Sequence, residues 1–197
     1  MSIKFAMVIL LSMLAVGTMI LYMTKPTITG FATTTGNTTV VVSSTSSVRF
    51  AVASVDWGTG SVNTTVGTCT LNTESVKTGC TGFTVVSQGL ILENDGNANI
   101  SVTLYSNVSA AQFIGNGATF QWKVTNNGTE TGSCTTPTPS SYSPVNVSVA
   151  NATTICSSLG YPDANDSLRV DLNITIPLAA VTSSSGLRLA SITATGT

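Results

Sequence analysis

The chain has 197 residues, a formal net charge of −1 and no histidine. Charged residues make up 8% of it, against about 25% in an ordinary soluble domain. The few basic residues are scattered, which argues against a nucleic-acid partner, because such proteins cluster Lys and Arg to displace phosphate counterions. Without histidine the chain lacks the commonest general base and transition-metal ligand, so we expect no enzymatic activity and no cofactor.

The remaining composition is hydroxylated rather than ionic. Ser and Thr account for 25 and 34 residues, and hydrophobic residues make up 42% of the chain. Thr, Val and Ile favour strands because their branched side chains fit a pleated surface. With 17 Gly available for turns, the composition predicts a β domain whose surface carries hydroxyl groups.

The first predicted element is an apolar helix, Phe5–Met23, which is uncharged and flanked by a lysine on each side. Its length lies between that of a signal-peptide core and that of a membrane span. A cleaved signal peptide fits, with small residues at Gly30 and Ala32 around a cleavage site, and so does a retained anchor. We therefore interpret residues 1–32 as a signal peptide or membrane anchor with a short linker, and residues 33–197 as an extracellular domain.

Alternating apolar residues predict strands along most of that domain. Residues 33–47 are polar and Thr-rich, and are interpreted as a linker, a first strand or both. The predicted strands cover residues 48–53, 83–86, 90–93, 98–105, 118–125, 145–149, 167–176 and 187–195, the last with a bulge. In the strand 118–125, Phe120, Trp122 and Val124 have the inward parity.

The segments between these strands predict turns and long loops. Asn94–Asn97 is a tight-turn signal that predicts a hairpin between its flanking strands. Ala110–Ile114 predicts a single helical turn, and residues 61–82 and 127–165 predict long hydroxyl-rich loops. About seven to nine strands separated by turn signals predict an all-β fold, an antiparallel β-sandwich of jelly-roll or Ig-like type.

The four cysteines predict disulfides and therefore an oxidising compartment. They are Cys69, Cys80, Cys134 and Cys156. Three connectivities are open, and local pairing of the first with the second and the third with the fourth closes the shortest loops. A zinc site is disfavoured because no Cys-x-x-Cys spacing and no histidine occur.

The Asn-x-Ser/Thr pattern of N-glycosylation acceptors recurs along the chain. The acceptors are Asn37, Asn63, Asn99, Asn107, Asn127, Asn146, Asn151, Asn165 and Asn173. Strand parity places Asn99, Asn107, Asn127 and Asn173 on the outward face. Compositional bias explains part of this number, yet we expect at least four acceptors to be modified in the source organism.

The positions of the eight acidic residues do not predict a catalytic site. No spacing brings two carboxylates together as a glycosidase requires, and no base is placed to activate a serine. Two loops gather oxygen ligands of the kind calcium binds, which makes Glu93, Asp95, Asp163 and Asp166 weak calcium candidates, with polar turns as the simpler explanation. Trp57 is a candidate carbohydrate platform or an edge cover.

Two stretches carry a resemblance to a known family. Gly30-Phe31-Ala32 follows the apolar segment, and residues 90–102 run strand, Asn-Asp-Gly turn, strand. Together they resemble the TasA/camelysin class of exported β-sandwich proteins and their archaeal pilus relatives. The resemblance implies donor-strand complementation, with Thr33–Ser47 as the exchanged strand and Leu187–Thr195 as its neighbour. The Phe-x-Asp run of the bacterial members is missing here.

These features favour a structural function over a catalytic one. Unpaired strand edges invite another chain unless charge or proline guards them, and the terminal segments carry few charges. We expect a glycosylated filament or pilus-type subunit whose partners are identical subunits and which meets the membrane at least transiently. The alternatives are an anchored adhesion or carbohydrate/protein-binding module, and a type IV pilin-like subunit, which Pro26 disfavours by ending the N-terminal helix early.

Overall fold

The computed structural model describes residues 43–128, 130–181 and 188–197. The chain is mostly β, with 41% of residues in strands and 7% in helices, and every strand pair is antiparallel, which confirms the all-β prediction. The described strands are β1 (Arg49–Val52), β2 (Ser61–Val62), β3 (Thr68–Asn72), β4 (Lys77–Thr78), β5 (Cys80–Thr81), β6 (Leu90–Glu93), β7 (Ile100–Ser106), β8 (Thr119–Asn126), β9 (Ser143–Pro144), β10 (Thr153–Leu159), β11 (Ser167–Pro177) and β12 (Ile192–Gly196). The helical elements are α1 (Ala110–Phe113), a 3₁₀ turn (Val149–Asn151) and α2 (Leu178–Val181).

The largest sheet has seven strands and is organised around β11. One side of β11 pairs with β8, from Leu168 opposite Asn126 to Thr175 opposite Thr119. Its other side is shared: β6 pairs with its first half and β3 with its second half. The sheet continues outward through β1, β4 and β9. The eleven-residue strand with the cleanest period-two pattern is therefore the centre of the sheet.

A second sheet has three strands in the order β10, β7, β12, and β2 pairs with β5 separately. Alternate residues of β7 are buried, among them Val102 and Leu104. These side chains join one hydrophobic cluster with Val170 and Leu172 of β11. Both sheets therefore share a single core, and hydrophobic burial of about 25 cal/mol per Å² of apolar surface holds them together.

The predicted inward parity of β8 is confirmed. Phe120, Trp122 and Val124 are all buried, with exposures of 3%, 1% and 0%. The predicted helical turn is also confirmed as α1, which begins at a capping box in which Ser109 accepts from the Gln112 amide and Gln112 reaches back to the Ser109 amide.

The predicted hairpin across Asn94–Asn97 is wrong. β6 pairs with β1 and β11 in the seven-stranded sheet, whereas β7 pairs with β10 and β12 in the three-stranded sheet. The turn carries the chain from one sheet to the other. Asn94 is fully buried there, and its side-chain amide donates to the carbonyl groups of Ala98 and Gly160, at 2.9 Å each.

Several segments differ from the predicted loops and strands. The loop predicted over 61–82 contains β2 to β5, and the loop over 127–165 contains β9 and β10. Residues 83–86, predicted as a strand, make two isolated backbone bonds, from Thr84 N to Trp57 O and from Ser75 N to Val86 O, and join no sheet. The last strand begins at Ile192, so residues 188–191 are not strand. The two predicted loops, 61–82 and 127–165, are hydroxyl-rich, and hydrophobic alternation is correspondingly weak in them.

Among the residues described, there is no helix long and apolar enough to span a membrane. The predicted apolar segment Phe5–Met23 lies outside them, as do Asn37, Leu187 and all of the candidate exchanged strand before Ser43.

Candidate functional site

The outer edge of β12 is the first candidate site. Ser101 and Thr197 form a hydrogen-bonded pair, with backbone bonds of 2.8 and 2.9 Å in the two directions. The register places Thr193 and Thr195 at the other positions whose backbone groups face β7. In an antiparallel ladder the intervening residues direct their N–H and C=O groups the other way. Ile192, Ala194 and Gly196 therefore present their backbone groups to the far edge.

No strand within the described ranges pairs with that edge. The opposite edge of the same sheet is covered: Thr138 N donates to Ile155 O at 2.9 Å, and the disulfide Cys134–Cys156 fastens the covering loop to β10. In the seven-stranded sheet, β4 and β9 have two residues each, and β1 is bulged. Short and bulged edges resist pairing with another chain, so β12 is the regular edge best suited to receive one.

The side chains along β12 leave apolar surface partly exposed. Ile192 and Ala194 are half-buried and pack against the shared core. Leu189, just before the strand, is 74% exposed. A strand laid along this edge would cover apolar surface of this kind in addition to satisfying backbone groups.

The described part of the candidate exchanged strand is tied to the β6–β7 turn. Thr45 N donates to Asn97 Oδ1 at 2.6 Å, Asn97 N donates to Thr45 O at 3.1 Å, and Asn97 Nδ2 donates to Ser43 O at 2.9 Å. Val48 then lies beside Gly196, where an added Cβ would meet its side chain at 3.5 Å. The chain therefore enters the domain close to the end of β12.

A second candidate site is a polar depression of about 410 Å³ on the outer face of the seven-stranded sheet. Lys123 Nζ donates to Glu74 Oε1 at 2.5 Å and lies 5.2 Å from the centroid of the Tyr142 ring. Tyr142 in turn donates to Glu74 Oε2 at 2.9 Å. The bond from Lys123 lowers the pKa of Glu74, while burial, followed by the Glu74 hydrogen bond, raises the pKa of Tyr142.

Beside this group, Asp171 is 2% exposed. It lies in the gap where β11 changes partner from β6 to β3. Arg169 Nε donates to Asp171 Oδ1 at 2.8 Å, and Arg169 Nη2 reaches the carbonyl groups of Thr73 and Ser87. Sequence reasoning missed this cluster, although the outward parity of Lys123, Arg169 and Asp171 in two predicted strands was a signal for it.

The calcium candidates lie at one end of the sheet but do not form a cation site. Glu93 and Asp95 form ion pairs with Arg49, at 2.5 and 3.5 Å. Glu130 Oε2 accepts from the Asp166 amide at 3.1 Å. In the ranges that the structure describes, no three Asp, Glu, His or Cys side chains are grouped to hold a metal ion.

Burial raises the pKa of Asp166 to about 6, and the neighbouring Glu130 carboxylate contributes next. This carboxyl group therefore keeps its proton more readily than an ordinary aspartic acid.

The cysteines form the local pairs, Cys69–Cys80 and Cys134–Cys156. The first links β3 to β5, and the second links the loop after β8 to β10. Two disulfides indicate an oxidising, extracytoplasmic environment. Loops of 11 and 22 residues correspond to a stabilisation of about 3 kcal/mol each in the chain-entropy description.

The described glycosylation acceptors differ in accessibility. Asn63, Asn99, Asn107, Asn146, Asn151 and Asn165 are exposed, whereas Asn127 and Asn173 are half-buried. The Nδ2 atoms of these two donate to Ser167 Oγ and Gln121 Oε1, at 3.0 and 2.9 Å. Outward parity therefore does not by itself leave an acceptor nitrogen free.

Trp57 is not an open platform. Its side chain packs against the shared core, and its indole Nε1 is buried, with no hydrogen-bond partner in the described ranges. Trp57 lies in the strand-free segment that follows β1 and covers part of the core there.

Comparison of the chain with protein-family models, with curated proteins and with solved structures finds no match.

Proposed function

We propose that this chain is a β-sandwich subunit of an extracellular filament, assembled when a strand from a neighbouring copy adds to the outer edge of β12. The observation that carries the proposal is the contrast between the two edges of the three-stranded sheet. The β10 edge is closed by a disulfide-fastened loop, while β12 directs the backbone groups of alternate residues outward. Exposed regular edges pair with other chains.

The chemistry of the segment before Ser43 supports it as the donated strand. Residues 33–42 of the candidate exchanged strand are rich in Thr and contain Val40, Val41 and Val42, residue types that favour strands. Added beside β12, such a strand would satisfy edge N–H and C=O groups and place branched side chains against Ile192 and Ala194. An identical subunit is the natural source, since every copy carries both parts.

The runner-up is an anchored adhesion or binding module that acts as a monomer. Trp57 gives it no support, because its ring is packed against the core. A type IV pilin-like subunit is a further alternative, which would assemble through its N-terminal helix and not through β12.

Electron microscopy of purified residues 33–197 tests the proposal. The described residues from Ser43 onward include a buried hydrophobic core and both disulfides, so the fragment contains its own core. Ala194→Pro removes an edge N–H without removing a bond to β7. We expect filaments from the wild-type fragment and none from Ala194→Pro.

A control variant and a shortened fragment complete the test. Thr195→Ser, on the same strand, alters only an exposed side chain and is expected to polymerise. A fragment that starts at Ser43 keeps the Asn97 contacts but lacks the donor, and is expected to stay monomeric. Filaments from a folded Ala194→Pro variant would exclude the β12 edge, and dispersed wild-type particles would favour the anchored monomer.

A further inference from the structure

The polar depression has unused hydrogen-bonding capacity concentrated on one side of the sheet. Ser75 lies in the turn between β3 and β4, Ser87 precedes β6, and Thr125 lies on the outward face of β8; all three line the depression. Among the described residues their hydroxyl groups have no hydrogen-bond partner. Lys123 Nζ makes one described hydrogen bond and Arg169 Nη1 makes none. Donors and acceptors of several kinds therefore converge on one open space.

The charges around this space cancel. Four of the chain's 15 charged residues line it, two cationic and two anionic: Lys123, Arg169, Glu74 and Asp171. Each cation already contacts a carboxylate, at 2.5 Å for Lys123–Glu74 and 2.8 Å for Arg169–Asp171. An ionic or zwitterionic ligand would have to break these pairs, at a cost in charge desolvation. A neutral ligand would use only the spare donors and acceptors.

The turn at Ser75 positions one of these hydroxyl groups. Its φ is +68°, a left-handed conformation that glycine adopts without strain. Only one other described non-glycine residue, Ser148, has a positive φ. Ser75 adopts this conformation in the short hairpin turn that the bond from Asn72 N to Val76 O closes, and the turn holds the Ser75 hydroxyl group at the rim of the depression.

We propose that this depression binds a neutral saccharide. Its volume of about 410 Å³ falls in the range of small-ligand sites, but its lining is hydroxyl, amide and charged rather than apolar, which suits a polyhydroxylated ring. Charged groups such as Glu74 and Arg169 make strong hydrogen bonds to neighbouring sugar hydroxyls. The site lies on the seven-stranded sheet, so it is independent of assembly through β12 in the other sheet.

Saturation-transfer NMR on the full chain tests the proposal, with glucose, galactose, mannose and N-acetylglucosamine as separate probes. We expect at least one of them to bind in the millimolar range. Because the ligand is uncharged, its affinity should not change with added sodium chloride, which screens ionic contacts.

Two variants remove hydroxyl groups without disturbing the fold. Ser75→Gly suits the positive φ, and Thr125→Val keeps the shape of the side chain. Each is expected to weaken binding by about tenfold, the effect of one lost hydrogen bond. Thr154→Val, an exposed hydroxyl loss on β10, is the matched control and should bind as the wild type does.

Three results would overturn the proposal. The first is that none of the four sugars binds. The second is that both depression variants bind as tightly as the control. The third is that free glycine, a zwitterionic probe, displaces the bound sugar in a salt-sensitive manner, because the site would then recognise charge.

Discussion

Thr73 and Asp171 meet where the seven-stranded sheet changes partner. The Thr73 hydroxyl donates a 2.6 Å hydrogen bond to Asp171 Oδ1 and accepts a 3.0 Å bond from the Leu172 amide. The Thr73 amide also donates to the Leu172 carbonyl at 3.0 Å. One side chain therefore completes the hydrogen bonding of β11 in the gap between β6 and β3.

Thr73→Val should destabilise the fold by about 2–3 kcal/mol, because it leaves the Leu172 N–H and the buried Asp171 carboxylate each short of a partner. Urea unfolding monitored by tryptophan fluorescence measures this loss. Thr70→Val, on the outward face of the preceding strand β3, removes only a 3.4 Å contact with Thr175 and should cost much less. Equal losses in the two variants would contradict the role assigned to Thr73.

Arg169→Met should cost about 3 kcal/mol in the free energy of unfolding, because it leaves the Asp171 carboxylate, 2% exposed, without its cation. Arg49→Met breaks two ion pairs, but the Arg49 side chain is 57% exposed, and exposed pairs contribute about 0–1 kcal/mol each. The same unfolding experiment compares them. A loss at Arg49 as large as that at Arg169 would show that burial is not what makes the Asp171 pair important.

The stability of the fold should depend on pH through Asp166, and the sign of this dependence follows from its raised pKa. The folded chain holds this proton up to about pH 6, whereas the unfolded chain releases it near 3.8. Protonation therefore stabilises the fold below about pH 4, and this contribution is lost as the pH rises through about 6. Asp166→Asn removes this dependence. The thermal midpoint of the variant minus that of the wild type should therefore increase as the pH rises from about 4 to about 6.

Comparing the two proteins at each pH is essential, because Glu74 acts in the opposite direction. The pKa of Glu74 is lowered by Lys123, so its contribution is present above its ordinary pKa and is lost on acidification. Glu130, Glu93 and Asp163 also act on Asp166 and remain in both proteins. A constant difference between Asp166→Asn and the wild type across this range would show that Asp166 has an ordinary pKa.

Glycopeptide mass spectrometry of the protein from its source organism tests the acceptor sites. We expect at least four modified sites overall, including Asn63, Asn107 and Asn165, which are exposed and whose Nδ2 atoms donate no described hydrogen bond. Asn127 and Asn173 should be unmodified, because their Nδ2 atoms are engaged within the sheet. An unmodified intact mass would exclude glycosylation altogether, and modification at Asn173 would show that the local hydrogen bond does not protect it.

Period-two alternation was enough to identify β7, β8 and β11 and to assign the inward side chains of β8. It identifies a face because successive side chains of a strand point to opposite sides. The same patterns were weak in hydroxyl-rich segments, where β3 and β10 were missed. In β10, only Ile155, Cys156 and Leu159 are buried, and two register shifts interrupt the pairing with β7.

The sequence by itself determined that the chain is all-β, that its strands have buried and outward faces, and that its cysteines are close enough along the chain to pair locally. It did not determine which strands lie together. β6 and β7 flank a strong turn signal, yet they belong to different sheets, because strand pairing depends on contacts between distant residues. Only the tertiary structure showed that no other described strand pairs with the outer edge of β12. It also brought Glu74, Lys123, Arg169 and Asp171 together, since these side chains come from three segments separated by up to about a hundred residues.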